Sequence, residues 1–216
     1  MKNKNGLFIT IEGVEGVGKS TNIETIKQFL ADQGIDFIVT REPGGTIWSE
    51  QIRDLLLKVN DDEDLTGLSE LLLIFAARAQ HLDRLIRPSL AAGKWVICDR
   101  FTDATYAYQG AGRGLDRSKI AELETLVQEE LRPDLTIILD LDPLTGLQRA
   151  QNRAALDRFE REQLEFFEKV RQAYLDIASA EQERCIVVDA SQDLEAVSSE
   201  LLIILEEKLS LLQQDD

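Results

Sequence analysis

The stretch Gly13-Val14-Glu15-Gly16-Val17-Gly18-Lys19-Ser20 matches the phosphate-binding loop pattern Gly-x-x-x-x-Gly-Lys-Ser/Thr at every defined position. It follows the apolar run 7–11, which is typical of a strand, and precedes apolar residues at helical spacing that end at Gly34. This order lets backbone N–H groups surround phosphate oxygens beside the positive end of a helix. A chance glycine turn would not carry both flanking elements. The sequence therefore predicts a nucleoside triphosphate site formed by residues 13–20, with Lys19 at the β- and γ-phosphates and Ser20 on Mg²⁺.

Composition and charge restrict the class of protein. The chain has 216 residues, 44% of them apolar and 30% charged, which is typical of one soluble globular domain. Its net charge of −16 argues against a nucleic-acid or anionic-membrane partner. No apolar run approaches the length of a membrane span, and residues 1–5 lead directly into a strand, so we expect a cytoplasmic protein. Cys98 and Cys185 lie in apolar runs and are expected to be buried thiols, not metal ligands.

Five apolar runs alternate with helical patterns along the chain, which predicts an α/β fold with a doubly wound five-stranded parallel sheet. We predict a single domain over residues 1–216, with a lid at about 149–161 and a glycine-rich loop at 110–114. The predicted strands are 7–11, 37–40, 95–98, 135–141 and 185–188; the predicted helices are 18–33, 49–58, 69–92, 117–131, 143–153, 160–180 and 194–212.

Two segments at strand ends suggest phosphate and metal contacts. The third predicted strand ends at Asp99, whose carboxylate could hold a water of the Mg²⁺ shell, and Arg100 offers a forked donor for a second phosphate. A solvated acidic turn is the alternative. The second strand leads into Thr40-Arg41-Glu42-Pro43-Gly44-Gly45-Thr46, where the bond before Pro43 could be cis and the glycines allow close approach of a ligand.

Two further segments suggest contacts with a base and with a triphosphate. Phe75 and Arg78 share one face of the third predicted helix, where a ring and a guanidinium could stack on a base and bond its carbonyl. Taken alone, Phe75 is more typical of a core and Arg78 of a surface. Arg149, Arg153 and Arg158 could close over a triphosphate, although a solvated helix end would carry similar residues.

Together these segments resemble the thymidylate kinase family, from Phe8 to about Ala190. Five motifs in order are similar to that family: Ile11-Glu12-Gly13 to Ser20, the loop Thr40 to Thr46, Phe75-Ala76-Ala77-Arg78, Asp99-Arg100-Phe101 and Ala107-Tyr108-Gln109-Gly110. The resemblance implies a P-loop NTPase or nucleoside monophosphate kinase fold with a short lid, and transfer of the γ-phosphoryl group of Mg²⁺·ATP to dTMP, giving dTDP. It also implies a homodimer, formed through the helix around Leu71–Ile86.

The resemblance also implies roles for individual residues. Arg41 and Arg100 would lie near the dTMP phosphate, Glu15 near the sugar and Tyr108 at the 2′ position. Phe75 would stack on thymine, with Arg78, Thr105 and Gln109 at its polar edge. Because the P-loop carries no arginine, the resemblance places the catalytic arginine in the lid, with Arg153 preferred over Arg149 and Arg158. The expected metal contacts are Ser20 and Asp99, and the adenine would lie near residues 189–191.

Two other functions stay open on the sequence. Another nucleoside monophosphate or deoxynucleoside kinase of this fold would differ in its acceptor. A nucleotide switch or assembly ATPase would hydrolyse ATP without any acceptor. Against the second, the guanine-reading Asn-Lys-x-Asp string is absent, and Val14 stands where partition ATPases carry a lysine.

Overall fold

Five short parallel strands form the central sheet of the computed structural model, which describes residues 6–60, 62–151 and 157–214. The strands are β1 (Phe8–Glu12), β2 (Phe37–Arg41), β3 (Trp95–Asp99), β4 (Leu135–Asp140) and β5 (Cys185–Asp189). The prediction of a five-stranded parallel sheet is confirmed, and its strands run in the order β2-β3-β1-β4-β5. In this order β1 lies at the centre, and β3 and β4 flank it.

Helices cover both faces of this sheet. Alternate residues of β1 point to opposite sides: Ile9 and Ile11 join the larger apolar core, whereas Phe8 packs with Val96 and Cys98 in a second cluster. Such two-sided burial explains the continuous apolar character of the strands. The helices are α1 (Lys19–Asp32), α2 (Ile47–Leu57), α3 (Gly67–His81), α4 (Arg87–Ala91), α5 (Thr102–Thr105), α6 (Arg117–Gln128), α7 (Pro143–Gln151), α8 (Leu164–Ala180) and α9 (Leu194–Gln214).

The helix predicted over 69–92 is interrupted by a π-helical turn at Leu82–Ile86, between α3 and α4. Pro88 lies in the first turn of α4 and has no backbone N–H with which to continue the ladder from the preceding turn. A wider turn is a common response to such a break. The helix therefore continues in three parts.

The segment predicted to contain a glycine-rich loop at 110–114 is largely helical. After α5, a π-helical segment runs over Tyr106–Gly112. It packs closely on α8, because a Cβ at Gly112 would lie only 2.5 Å from the Phe166 ring. Tertiary packing thus overrides the low helix propensity of two glycines.

The start of the helix predicted over 160–180 differs from the expectation as well. Helix α8 begins at Leu164 and not at residue 160, since the Asp157 side chain accepts from the backbone N–H groups of Phe159 and Glu160 in a turn. Residues 152–156, including Arg153, lie outside the described part of the chain. In the described ranges, no helix combines the length and apolar character needed to span a bilayer.

Candidate active site

The P-loop joins β1 to α1 and approaches α7 backbone to backbone. Gly13, Gly16 and Gly18 have positive φ angles of 130°, 74° and 89°. A Cβ at Gly16 would lie 2.0 Å from the Gly146 carbonyl oxygen, and one at Gly146 would lie 2.4 Å from that of Glu15. Glycine is therefore required on both sides of this contact.

Lys19 is buried at the start of α1, within the loop. Its Nζ donates to the carbonyl oxygens of Gly13 and Val14, both at 3.0 Å. Burial, reinforced by the nearby Arg100 cation, lowers the pKa of Lys19 to about 8. The ammonium is thus held by carbonyl dipoles and is poorly compensated by charge, which favours an incoming anion.

Ser20 and Asp99 line one shallow hollow beside the P-loop. The Asp99 Oδ1 atom is buried and accepts no hydrogen bond from the described residues; the Arg100 guanidinium lies 3.6 Å from it. An orphaned carboxylate oxygen beside a serine hydroxyl is the oxygen-donor set that Mg²⁺ prefers. These two predicted metal contacts therefore fit the ion.

A partly enclosed cavity adjoins the P-loop at the carboxyl ends of β1, β2 and β3. Open parallel sheets bind ligands at this edge. The cavity brings together predicted residues from four separate motifs: Glu15, Arg78, Arg100, Thr105, Tyr108 and Gln109.

Arg100 reaches this cavity from an unusual backbone conformation, with a φ of +66°. The next residue is fixed by Glu12, whose Oε1 accepts from the Phe101 N–H at 2.7 Å. The Arg100 Nη2 then donates to Glu15 Oε1 at 2.7 Å and to the Tyr108 hydroxyl at 3.2 Å. A non-glycine residue in the left-handed region is uncommon, and such residues cluster at functional sites.

Arg78 forms one end of the cavity and is almost fully buried. Its Nε donates to Glu42 Oε2 at 2.7 Å, and its Nη2 donates to the Phe101 carbonyl oxygen and to Thr105 Oγ1. Because Thr105 accepts this bond, its own O–H is available as a donor. The buried guanidinium lowers the pKa of the Glu42 carboxyl below its usual value, against the opposing effect of burial.

Phe75 does not lie in the cavity. It is 2% exposed and packs with Leu71 and Ile120, beneath the Arg78 guanidinium. The preceding residue, Ile74, lines the cavity instead. Neighbouring residues on a helix point about 100° apart, and here the packing of α3 turns Ile74 toward the cavity and Phe75 into the core.

Arg41 does not line the larger cavity either. It pairs with Glu50 at 2.7 Å, is half exposed and lines the hollow of Ser20 and Asp99, not the larger cavity. Arg53, which the sequence analysis missed, lines the cavity and donates to the Pro43 carbonyl oxygen at 3.0 Å. Burial, with Arg41 and Arg100 nearby, lowers the pKa of Arg53. A cation on the same helix face as the buried Ser49 and Leu56 is the signal that could have identified it.

The loop before α2 is supported by His81, to which the sequence assigned no role. The Glu42–Pro43 bond is cis, as the sequence suggested. His81 is fully buried, with Nδ1 3.0 Å from Glu42 and Nε2 2.8 Å from Thr40 Oγ1. A Cβ at Gly45 would lie 2.4 Å from the same ring. His81 therefore fixes the loop from behind.

The lid arginines do not come together in the described residues. Arg149 is exposed near the end of α7. Arg158 is bound elsewhere: its Nη2 lies 2.7 Å from the buried Glu70 carboxylate, and its Nε donates to the Leu56 carbonyl oxygen at 2.7 Å. Arg158 thus anchors the C-terminal part of the predicted lid and, among the described residues, makes none of the P-loop contacts expected of a catalytic arginine.

Comparison with known proteins agrees with this geometry. The thymidylate kinase family model matches residues 11–201. Thymidylate kinase from Ectopseudomonas mendocina is 58% identical over 91% of this chain and 93% of its own length. That from Hahella chejuensis is 51% identical over 96% of this chain and 99% of its own. A crystal structure of thymidylate kinase from Ehrlichia chaffeensis has a TM-score of 0.76 at 37% identity, covering 94% of this chain and 99% of that one. The chain therefore belongs to the thymidylate kinase family.

Proposed function

We propose that the cavity beside the P-loop binds dTMP and that the P-loop binds the ATP that phosphorylates it. As a thymidylate kinase, the chain transfers the γ-phosphoryl group of ATP to dTMP, which yields dTDP and ADP. The observation that carries the assignment of the cavity is the presence of Arg53 and Arg100 in its wall beside the P-loop. Their forked guanidinium donors suit an acceptor phosphate.

The acceptor roles follow from the cavity walls. Arg53 and Arg100 would hold the dTMP phosphate, and Glu15 with Tyr108 would face the sugar. Arg78 would donate to a base carbonyl, while Thr105 and Gln109 would contact the same polar edge. We assign the apolar contact with the ring to Ile74 in place of Phe75, and we assign no direct phosphate contact to Arg41.

Catalysis in this arrangement is positioning together with charge stabilisation. Lys19 would bind the β- and γ-phosphates, and Arg153, with Arg149, would supply the lid cation. No general base is required, because a phosphate oxygen of dTMP is already ionised at neutral pH. Ser20 and Asp99 would hold Mg²⁺, which offsets phosphate charge when bound. We propose that residues 149–161 act as the lid of a single domain.

A coupled ADP-release assay with Mg²⁺·ATP and each of dTMP, dUMP, dCMP, dGMP and thymidine tests the function. We expect rapid turnover with dTMP and an advantage over dUMP of about 10–200-fold, because the two bases differ by one methyl group. The Arg153→Ala variant should lose most of the turnover. Strong release with another monophosphate would favour a different acceptor, and acceptor-independent release would favour a nucleotide switch.

Replacing Ile74 by alanine is expected to raise the KM for dTMP about 10-fold, because an apolar wall of the cavity is removed. Phe75→Leu should leave that KM within about twofold and instead lower stability by roughly 1 kcal/mol, since Phe75 belongs to the core. Steady-state kinetics and thermal denaturation of both variants separate the two effects. An equal rise of KM in Phe75→Leu would return the base contact to Phe75.

Binding of Mg²⁺·ATP is expected to take up a proton at pH 9 and not at pH 7. The pKa of Lys19 lies at about 8 in the free protein, so the side chain is neutral above that pH, and phosphates favour its charged form. Affinity should then fall by up to about tenfold per pH unit above pH 8. Calorimetry in buffers of different ionisation enthalpy measures the uptake. Equal proton release or uptake at both pH values would contradict it.

We further propose a cytoplasmic homodimer. Leu71, Leu82 and Ile86 of the predicted interface are fully buried within the protomer, whereas Leu68 and Leu72 of α3 are about half exposed. An exposed apolar face of this kind suits a subunit contact. Sedimentation velocity of the wild type and of Leu72→Glu tests this assignment.

A further inference from the structure

Glu70 is a buried carboxylate that no sequence motif singles out. It lies in the first turn of α3, where acidic residues are usually solvated, yet its side chain has no exposed surface. A carboxylate in such a place needs donors and cations around it. The residues that contact Glu70 therefore indicate its role.

Side chains from two segments that line the proposed dTMP cavity, Gln109 and Arg158, meet at the Glu70 carboxylate. Gln109 Nε2 donates to Glu70 Oε1 at 2.7 Å, and Gln109 lines the cavity. The Arg158 Nη2 atom lies 2.7 Å from Oε2, while its neighbours Asp157 and Phe159 line the cavity from another side. Arg113 lies 3.4 Å away and is paired with Glu162 at 2.5 Å.

The bond to Glu70 determines which way the Gln109 amide points. An ionised carboxylate only accepts hydrogen bonds, so the amide nitrogen must face Glu70. The carbonyl oxygen is then the polar atom left for a ligand, and it accepts no hydrogen bond from the described residues. This end of the cavity consequently offers an acceptor.

We propose that Glu70 is a specificity-determining positioning residue, which holds the Gln109 carbonyl oxygen toward the base and thereby selects keto pyrimidines over amino pyrimidines. The inference rests on the proposed dTMP site. Thymine and uracil present an N3–H donor to such an acceptor, whereas cytosine presents a lone pair at N3. Glu70 touches no substrate atom and acts through Gln109.

The first test is Glu70→Gln, which nearly preserves volume but supplies its own N–H donor. Gln109 can then turn its amide nitrogen toward the base. We expect kcat/KM for dTMP to fall about 10-fold to 100-fold, mainly through KM. The ratio of kcat/KM for dTMP to kcat/KM for dCMP should fall at least about 10-fold. Glu162→Gln is the matched control, because Glu162 also pairs with Arg113 but does not contact Gln109. The control should retain the wild-type ratio.

A double-mutant cycle distinguishes positioning from a general structural role. In a Gln109→Met background, Glu70→Gln should change the dTMP-to-dCMP ratio of kcat/KM by less than about twofold. The reason is that Glu70 can no longer act through the Gln109 amide. A ratio that still falls in that background, or one unchanged in Glu70→Gln alone, would overturn the proposal. Thermal denaturation identifies variants that fail to fold. Arg158→Gln tests the contact between Arg158 and Glu70 separately.

The wild-type measurements separate this inference from the assignment of the cavity. Calorimetric titration with dTMP and dCMP reports acceptor binding without turnover. If wild-type protein binds neither nucleotide, the proposed site fails. If it binds dTMP selectively and Glu70→Gln retains that selectivity, only the role of Glu70 fails.

Discussion

Replacing Lys19 by methionine is expected to lower kcat by about 10³-fold or more, the scale on which cations aid phosphoryl transfer. Methionine fills the buried space of the lysine stem but supplies no charge to the phosphates. The two carbonyl groups that Lys19 binds, those of Gly13 and Val14, lose one donor, so a small loss of stability accompanies the loss of rate. Single-turnover kinetics at saturating ATP measure the chemical step directly.

Lys27→Met is the matched control, because Lys27 lies on the same helix and, within the described part of the chain, pairs only with Glu24 at the surface. It should leave kcat within about twofold, as expected of an exposed ion pair. A Lys19→Met enzyme that keeps more than a tenth of the wild-type rate, while folded and saturated with ATP, would remove Lys19 from the catalytic centre.

Replacing Arg100 by methionine is expected to lower kcat/KM for dTMP by about 10²- to 10³-fold, the scale of one lost charge-stabilising donor. The loss has two causes. The acceptor phosphate loses a cation, and the Glu15 carboxylate, which Arg100 now neutralises at 2.7 Å, would face that phosphate uncompensated. The defect should therefore appear mainly in the KM for dTMP, with the KM for ATP changed by less than about threefold.

Arg132→Met provides the comparison, since Arg132 is exposed and pairs with Glu124 far along the chain from the P-loop. Its kcat/KM should stay within about twofold of the wild type. An unchanged KM for dTMP in Arg100→Met would contradict the assignment of the acceptor phosphate. Restoration of affinity by Glu15→Gln in the Arg100→Met background would support the electrostatic explanation.

The sheet could be predicted from sequence because each strand is a short, continuous apolar run between helical patterns. In the observed strand order, the P-loop, Asp99 and the loop after β2 meet at one edge of the sheet. The predictions at Phe75 and Arg41 depend on the direction in which each side chain leaves its element, α3 for Phe75 and the end of β2 for Arg41. Tertiary packing decides that direction, and local spacing does not.

Arg53 and Glu70 were missed for a related reason. Both are charged residues on amphipathic helices, where charge normally indicates a solvated face. Only the surrounding elements show that one lines a cavity and the other is enclosed by Gln109 and two arginines. Charged residues at apolar positions of a helical pattern would have been the signal, and it is visible for Arg53 in the Ser49–Arg53–Leu56 spacing.

The close backbone contact between Gly16 and Gly146 would limit how the proposed lid can move. With no side chain between them, the tip of the P-loop and the middle of α7 cannot slide past each other without backbone collision. A lid that closes over ATP would then have its hinge at or after Gly146. Arg149, which lies close to that hinge, would move a shorter distance than residues farther along the lid. The P-loop and the first residues of the lid would therefore move together.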